Sequence, residues 1–74
     1  SWNFFIGFKA IDAISGELGI IEEVDEKTIN TLFLIRKGDN KYIVPATEDF
    51  IAEINPKEKI LYLQLPEGLL DSLQ

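Results

Sequence analysis

The chain has 74 residues, 13 of them acidic and 7 basic, for a net charge of −6, and it has neither cysteine nor histidine. This length is that of one small domain, and the missing side chains exclude disulfides, zinc sites of cysteine and histidine, and catalysis by a histidine base. The acidic balance disfavours direct binding to nucleic acid, whose phosphates require clustered lysine and arginine, and favours a basic protein partner.

The first apolar run, residues 4–11, alternates in hydrophobicity and predicts a strand. Phe4 and Phe8 share one face of that strand, which fits packing in the core. Trp2 and Phe5 are candidate contacts with another domain or a partner protein, because aromatic side chains anchor interfaces. A stacking platform for bases is not expected, since the basic groove that normally accompanies one is missing.

Residues 12–19 separate this run from the next apolar one and predict the turn of a β-hairpin, to which the other strands add. Asp12 is suited to accept hydrogen bonds from the backbone two residues on, and at least one of Gly16 and Gly19 is expected at positive φ. Asp12 and Glu17 could in principle act as an acid and a base, but a turn-capping aspartate and an exposed glutamate require fewer assumptions.

The second strand, residues 18–24, has an odd spacing of apolar positions, which a β-bulge near Glu22 and Glu23 would accommodate. These two residues, with Asp25 and Glu26, form the densest group of carboxylates in the chain. They lack the spacing of a calcium-binding loop, so we interpret them as a solvated strand end.

The remaining elements follow at short intervals. Residues 31–35 are β-branched, aromatic and aliphatic and predict a buried strand, and a hairpin turn leads from it to the returning strand 41–45. Thr47 is a candidate N-cap of one helical turn. The last strand is predicted over residues 59–65, and the tail 69–73 is predicted to form a short helical turn.

These elements predict an all-β domain, namely a small barrel, closed or partly open, of five to six antiparallel strands with one short helical turn. No run approaches the about 18 apolar residues of a membrane helix. The start at Ser1, without an initiator methionine, predicts one domain of a larger protein. The predicted core consists of Ile6, Phe8, Leu18, Leu34, Ile43, Phe50, Ile60 and Tyr62.

No residue is predicted to be catalytic, to bind a cofactor or to ligate a metal. Ser15 and Ser72 have no histidine to activate them, and no lysine has an evident activating neighbour. The segment 16–19 is too short and too acidic to hold a phosphate. The sequence therefore predicts a protein that is not an enzyme.

Five short motifs cover nearly the whole chain. They are Trp2-x-x-Phe5-Ile6-Gly7, Asp12 with Gly16-Glu17-Leu18-Gly19, Ile43-Val44-Pro45, Phe50-Ile51, and Leu65-Pro66-Glu67-Gly68-Leu69-Leu70-Asp71. This pattern resembles the C-terminal PRC-barrel domain of the ribosome maturation factor RimM, a 16S rRNA processing protein. The glycine turn is common among PRC barrels, whereas the last motif is much more specific.

The resemblance implies that residues 1–74 form a single PRC-barrel domain, the C-terminal part of a protein with two β-barrel domains. It implies a non-enzymatic, cytoplasmic factor that acts in 30S subunit maturation and 16S rRNA processing. The implied partner is a basic ribosomal protein of the small-subunit head, of the S-nineteen family. No cofactor, no membrane contact and no direct tight RNA binding by this domain are implied.

A second class of function stays open on the sequence. PRC barrels also serve as structural or accessory domains of membrane-associated electron-transfer complexes. The Leu-Pro-Glu-Gly-Leu-Leu-Asp ending favours the assembly factor over this alternative.

Overall fold

The computed structural model describes residues 1–73, which form six strands and three short helices. The strands are β1 (Lys9–Asp12), β2 (Gly16–Asp25), β3 (Leu32–Lys37), β4 (Asn40–Pro45), β5 (Ile51–Asn55) and β6 (Ile60–Leu63). Two 3-10 helices cover Trp2–Phe5 and Glu48–Phe50, and the helix α1 covers Leu69–Leu73. No helix in this part of the chain is long and apolar enough to cross a membrane.

The six strands form one sheet in the order β4-β3-β2-β1-β6-β5. No β4–β5 ladder closes it within residues 1–73, so the predicted barrel is partly open. The predicted antiparallel arrangement is confirmed for four of the five strand pairs, and β1 and β6 run parallel. The helix α1 packs beside β4, at one edge of the sheet.

The β1–β2 hairpin is confirmed as the element on which the sheet is built. Gly16 and Gly19 have φ values of 78° and 130°, as the turn and the following strand require. A Cβ atom on Gly19 would lie 2.2 Å from the carbonyl oxygen of Arg36, so only glycine lets β2 and β3 approach this closely. The predicted bulge is also confirmed, because the β2–β3 register shifts between Ile21 and Glu23.

Two local predictions at chain reversals are also confirmed. Gly38 lies in the turn that joins β3 to β4, with a φ of 61°. The hydroxyl of Thr47 accepts a hydrogen bond from the N–H of Asp49 and caps the second 3-10 helix.

The core lies on one face of the sheet and beneath the first 3-10 helix. Its buried apolar residues are Phe5, Phe8, Ala10, Leu18, Ile21, Phe33, Ile35, Val44, Ala46, Leu61, Leu63 and Leu65. Phe8 and Leu18 were predicted correctly. The other predicted positions Leu34, Phe50, Ile60 and Tyr62 are only partly buried.

Two core predictions were wrong. Ile6 is 46% exposed because it follows the 3-10 helix in a turn and does not belong to a strand. Ile43 is 41% exposed because it pairs with Leu34 on the outer face of the sheet, while its neighbour Val44 points inward and is fully buried.

Candidate protein-binding site

The carboxylate of Asp12 joins the β1–β2 turn to the segment that follows β6. Its Oδ2 atom accepts hydrogen bonds from the N–H groups of Ile14 and Ser15, at 3.1 and 2.9 Å, and Oδ1 accepts one from the N–H of Leu65 at 2.9 Å. Burial alone would raise the pKa of Asp12, but the hydrogen bonds from Ser15, Leu65 and Ile14 outweigh it and lower that pKa below its ordinary value. This aspartate is therefore a structural anion that fixes two segments.

The other acidic residues considered above lie at the surface. Glu17 is close to Lys9 and Lys37, with carboxylate-to-ammonium distances of 3.7 and 3.8 Å. Glu22 accepts a hydrogen bond from the guanidinium of Arg36 at 3.1 Å. Among residues 1–73, no group of three or more acidic side chains is arranged to hold a metal ion.

The N-terminal aromatic residues form a cluster with Phe33 of strand β3. Trp2, Phe4, Phe5, Phe8 and Phe33, hereafter the aromatic cluster, have neighbouring ring centroids 5.3–5.9 Å apart. Several pairs meet edge to face, the arrangement that the ring quadrupoles favour. The cluster therefore packs the first 3-10 helix against the sheet.

The helix forms where the alternating pattern predicted a strand. The Ser1 hydroxyl accepts a hydrogen bond from the N–H of Asn3 and caps the helix. Gly7, at a φ of 94°, then turns the chain and donates its N–H to the carbonyl of Ile21 at 2.7 Å. The chain enters β1 only at Lys9.

This change exchanges the predicted roles of two neighbouring phenylalanines. Phe5 turns into the core and is 8% exposed, whereas Phe4 is 59% exposed. The interpretation of Phe5 as an uncovered aromatic and of Phe4 as a core residue was therefore wrong. Trp2 is partly buried against Phe5 and Phe33.

The exposed large apolar side chains at this end are those of Phe4 and Ile6, and Trp2 is partly exposed. The alternating apolar pattern concealed Phe4 and Ile6. A capping serine before the aromatic run and a glycine after it were the signals that could have revealed them. Partner binding by Trp2 and Phe5 stays a prediction. Since Phe5 is buried, it would act only by supporting the exposed ring of Phe4, with which it is in contact.

Residues 2–69 match the RimM PRC barrel domain. The chain belongs to the RimM PRC-barrel family. Within this family, the chain is 51% identical over 72 residues to the ribosome maturation factor RimM of Bacteroides thetaiotaomicron, and 46% identical over 70 residues to that of Phocaeicola vulgatus.

These two alignments cover 96% and 95% of the chain, but only 40% and 41% of the two relatives. The chain thus spans about two fifths of the length of the RimM proteins it matches. A crystal structure of a 16S ribosomal RNA processing protein RimM from Pseudomonas aeruginosa superposes with a TM-score of 0.77 at 19% identity, over 93% of the chain and 45% of that protein. That likeness supports the PRC-barrel fold.

Proposed function

We propose that this domain is a non-enzymatic module of a cytoplasmic ribosome maturation factor, which binds a basic protein of the small-subunit head during 30S maturation and 16S rRNA processing. The observation that carries the proposal is the family match over residues 2–69, with relatives that are named ribosome maturation factors. The S-nineteen family of head proteins is the partner that the family resemblance implies. The relatives of this chain, which are named ribosome maturation factors, do not favour the alternative of an accessory domain in an electron-transfer complex.

Two features of the domain support a protein partner. Phe4 of the aromatic cluster, which is 59% exposed, and the nearby Ile6, which is 46% exposed, offer apolar anchors. The net charge of −6 would speed the encounter with a basic protein by long-range attraction. The apolar anchors therefore mainly slow dissociation of the complex, whereas the charge mainly speeds its association.

The basic residues are less scattered in the fold than along the chain. Lys9, Arg36 and Lys41 share a row across the outer face of the sheet with Ile20, which pairs with both Lys9 and Arg36. Glu17 lies beside Lys9, and Glu22 lies beside Arg36. Since two of the three cations already face a carboxylate, this row is a weak phosphate-binding surface, and the proposal assigns no direct tight RNA binding to the domain.

Replacing Phe4 by serine is expected to weaken binding to the purified basic head protein about tenfold, because one exposed anchor is lost. The loss should appear as faster dissociation in surface plasmon resonance, whereas added salt should slow association. Phe4 is suited to this test because its side chain is largely exposed and its removal should leave the fold intact.

Ile29→Ser is the matched control, since Ile29 is fully exposed in the loop between β2 and β3. This variant should bind like the wild type. Equal affinities of the Phe4→Ser variant and the wild type would contradict a role of the aromatic cluster in binding. Absence of binding by the wild-type chain itself would contradict the proposed partner.

A further inference from the structure

A groove crosses the domain at the far end of β1 from the aromatic cluster. It has a volume of about 210 Å³ and lies between the β1–β2 turn and the segment that joins β6 to α1. Ile14 and Ser15 form one wall, and Pro66, Glu67 and Leu70 belong to the other. The proposed function uses none of these residues.

The groove combines apolar and acidic groups. Ile14 stands at the tip of the turn and is 78% exposed, and Leu70 is half-buried opposite it. Glu67 and Asp71 are exposed at its rim, and neither forms an ion pair within the described part of the chain. Among the residues that the structure describes, no lysine or arginine lines the groove. Its surroundings are therefore negative, which favours a cation and opposes an anion.

Asp12 makes the two walls one rigid unit. Its carboxylate binds the N–H groups of Ile14 and Ser15 in the turn and that of Leu65 at the start of the opposite wall. Because the walls are already fixed, a bound segment would order few further groups, and less conformational entropy would be lost on binding.

An adjoining hollow extends the groove along the surface. It shares Ser15, Leu70 and Asp71 with the groove and continues to Glu17 and Tyr42. The combined surface runs from Pro66 and Glu67 to Tyr42 and has carboxylates at Glu67 and Asp71, while the carboxylate of Glu17 already lies beside Lys9 and Lys37. This shape fits an extended peptide better than a compact small molecule.

We propose that this groove binds an extended segment of a protein in which lysines or arginines alternate with apolar residues. The apolar side chains pack on Ile14 and Leu70, and the cations lie against Glu67 and Asp71. A bare metal ion is a poor occupant, since no three acidic groups converge within residues 1–73. The inference is independent of the aromatic cluster, which lies at the other end of β1.

The first test is a titration of the isotope-labelled chain with a short peptide of alternating arginine and leucine, followed by amide NMR shifts. Saturable shifts are expected at Ile14, Ser15 and Gly68, which line the groove. The same peptide with glutamate in place of arginine should cause none. Shifts confined to the acidic strand end 22–26, or equal binding of both peptides, would overturn the proposal.

The second test compares matched variants with the same arginine–leucine peptide. Ile14→Ser is expected to weaken binding about tenfold, as the loss of an apolar anchor does, while the exposed control Ile29→Ser leaves it unchanged. Glu67→Gln combined with Asp71→Asn should weaken binding more than neutralisation of two acids elsewhere, at Glu23 and Glu26. If Ile14→Ser and Ile29→Ser weaken peptide binding equally, or if the two double neutralisations do, the groove is not the binding site.

Two further outcomes separate this inference from its alternatives. If the same amides shift with protein concentration in the absence of peptide, a second copy of the chain occupies the groove and the proposal is wrong. Phe4→Ser should leave peptide binding unchanged, because Phe4 does not line the groove. A failure of head-protein binding is therefore tested through Phe4, and a failure of peptide binding is tested separately through Ile14.

Discussion

Replacing Gly19 by alanine is expected to destabilise the domain by about 2–6 kcal/mol, the sum of backbone strain and steric overlap. The φ of Gly19 is 130°, and a Cβ atom there would lie 2.2 Å from the Arg36 carbonyl oxygen and 2.5 Å from its carbonyl carbon. Both atoms belong to backbone, which cannot move aside without disrupting the β2–β3 ladder. The loss is comparable to the whole stability, about 4–11 kcal/mol, of a domain of this length. Urea unfolding followed by circular dichroism measures it.

Gly16→Ala is the control for this substitution. Gly16 also has a positive φ, 78°, but nothing lies within 4 Å of a Cβ atom built on it. Only the cost of the left-handed conformation remains, about 1–2 kcal/mol. If the two variants lose the same stability, the close approach of β2 and β3 at Gly19 is not what requires glycine.

Replacing Asp12 by asparagine is expected to cost about 2–4 kcal/mol, because the amide leaves at least one backbone donor without an acceptor. If the NH₂ group of the asparagine takes the Oδ1 position, this donor faces the N–H donor of Leu65. If it takes the Oδ2 position, it faces the N–H donors of Ile14 and Ser15. Asp25→Asn is the control, since Asp25 accepts one exposed hydrogen bond from Lys27. Similar losses for the two substitutions would contradict the structural role of Asp12.

The effect of Asp12 should also depend on pH. Its pKa is lower in the folded protein than the ordinary value of 3.8. The ionised carboxylate therefore stabilises the fold fully above that ordinary value, and this contribution is lost as pH falls through the lower, folded-state pKa. The stability difference between wild type and Asp12→Asn should thus be largest at neutral pH and should shrink as the pH falls below the ordinary value of 3.8. A difference that stays constant as the pH falls would show that the charge of Asp12 does not matter.

The sequence predicted those features that depend on neighbouring residues. Asp12, Gly16 and Thr47 take the turn and cap positions expected of them, because an aspartate, a glycine or a threonine satisfies the backbone within two or three residues. The bulge beside Glu22 was visible because an extra residue disturbs an alternating pattern. The five short motifs, of which the last is the most specific, also identified the family.

Features that depend on distant parts of the chain were not predicted. Period-two alternation in residues 4–11 favours a strand, but a capping serine and packing on Phe33 produce a 3-10 helix, which exchanges Phe4 and Phe5. The parallel pairing of β1 with β6 brings together residues about fifty positions apart, for which no local pattern exists. The groove depends on the same long-range contact, through the hydrogen bond from Leu65 to Asp12.

The proposed partner is tested by measuring binding of the chain at physiological salt, to the purified basic head protein and separately to an RNA fragment of the small-subunit head. Saturable binding to the protein is expected, with none of comparable strength to the RNA. An acidic domain with exposed apolar side chains attracts a basic protein, while two of the three cations in the row of Lys9, Arg36 and Lys41 already lie beside carboxylates. Tight binding to the RNA without binding to the protein would contradict the proposed partner.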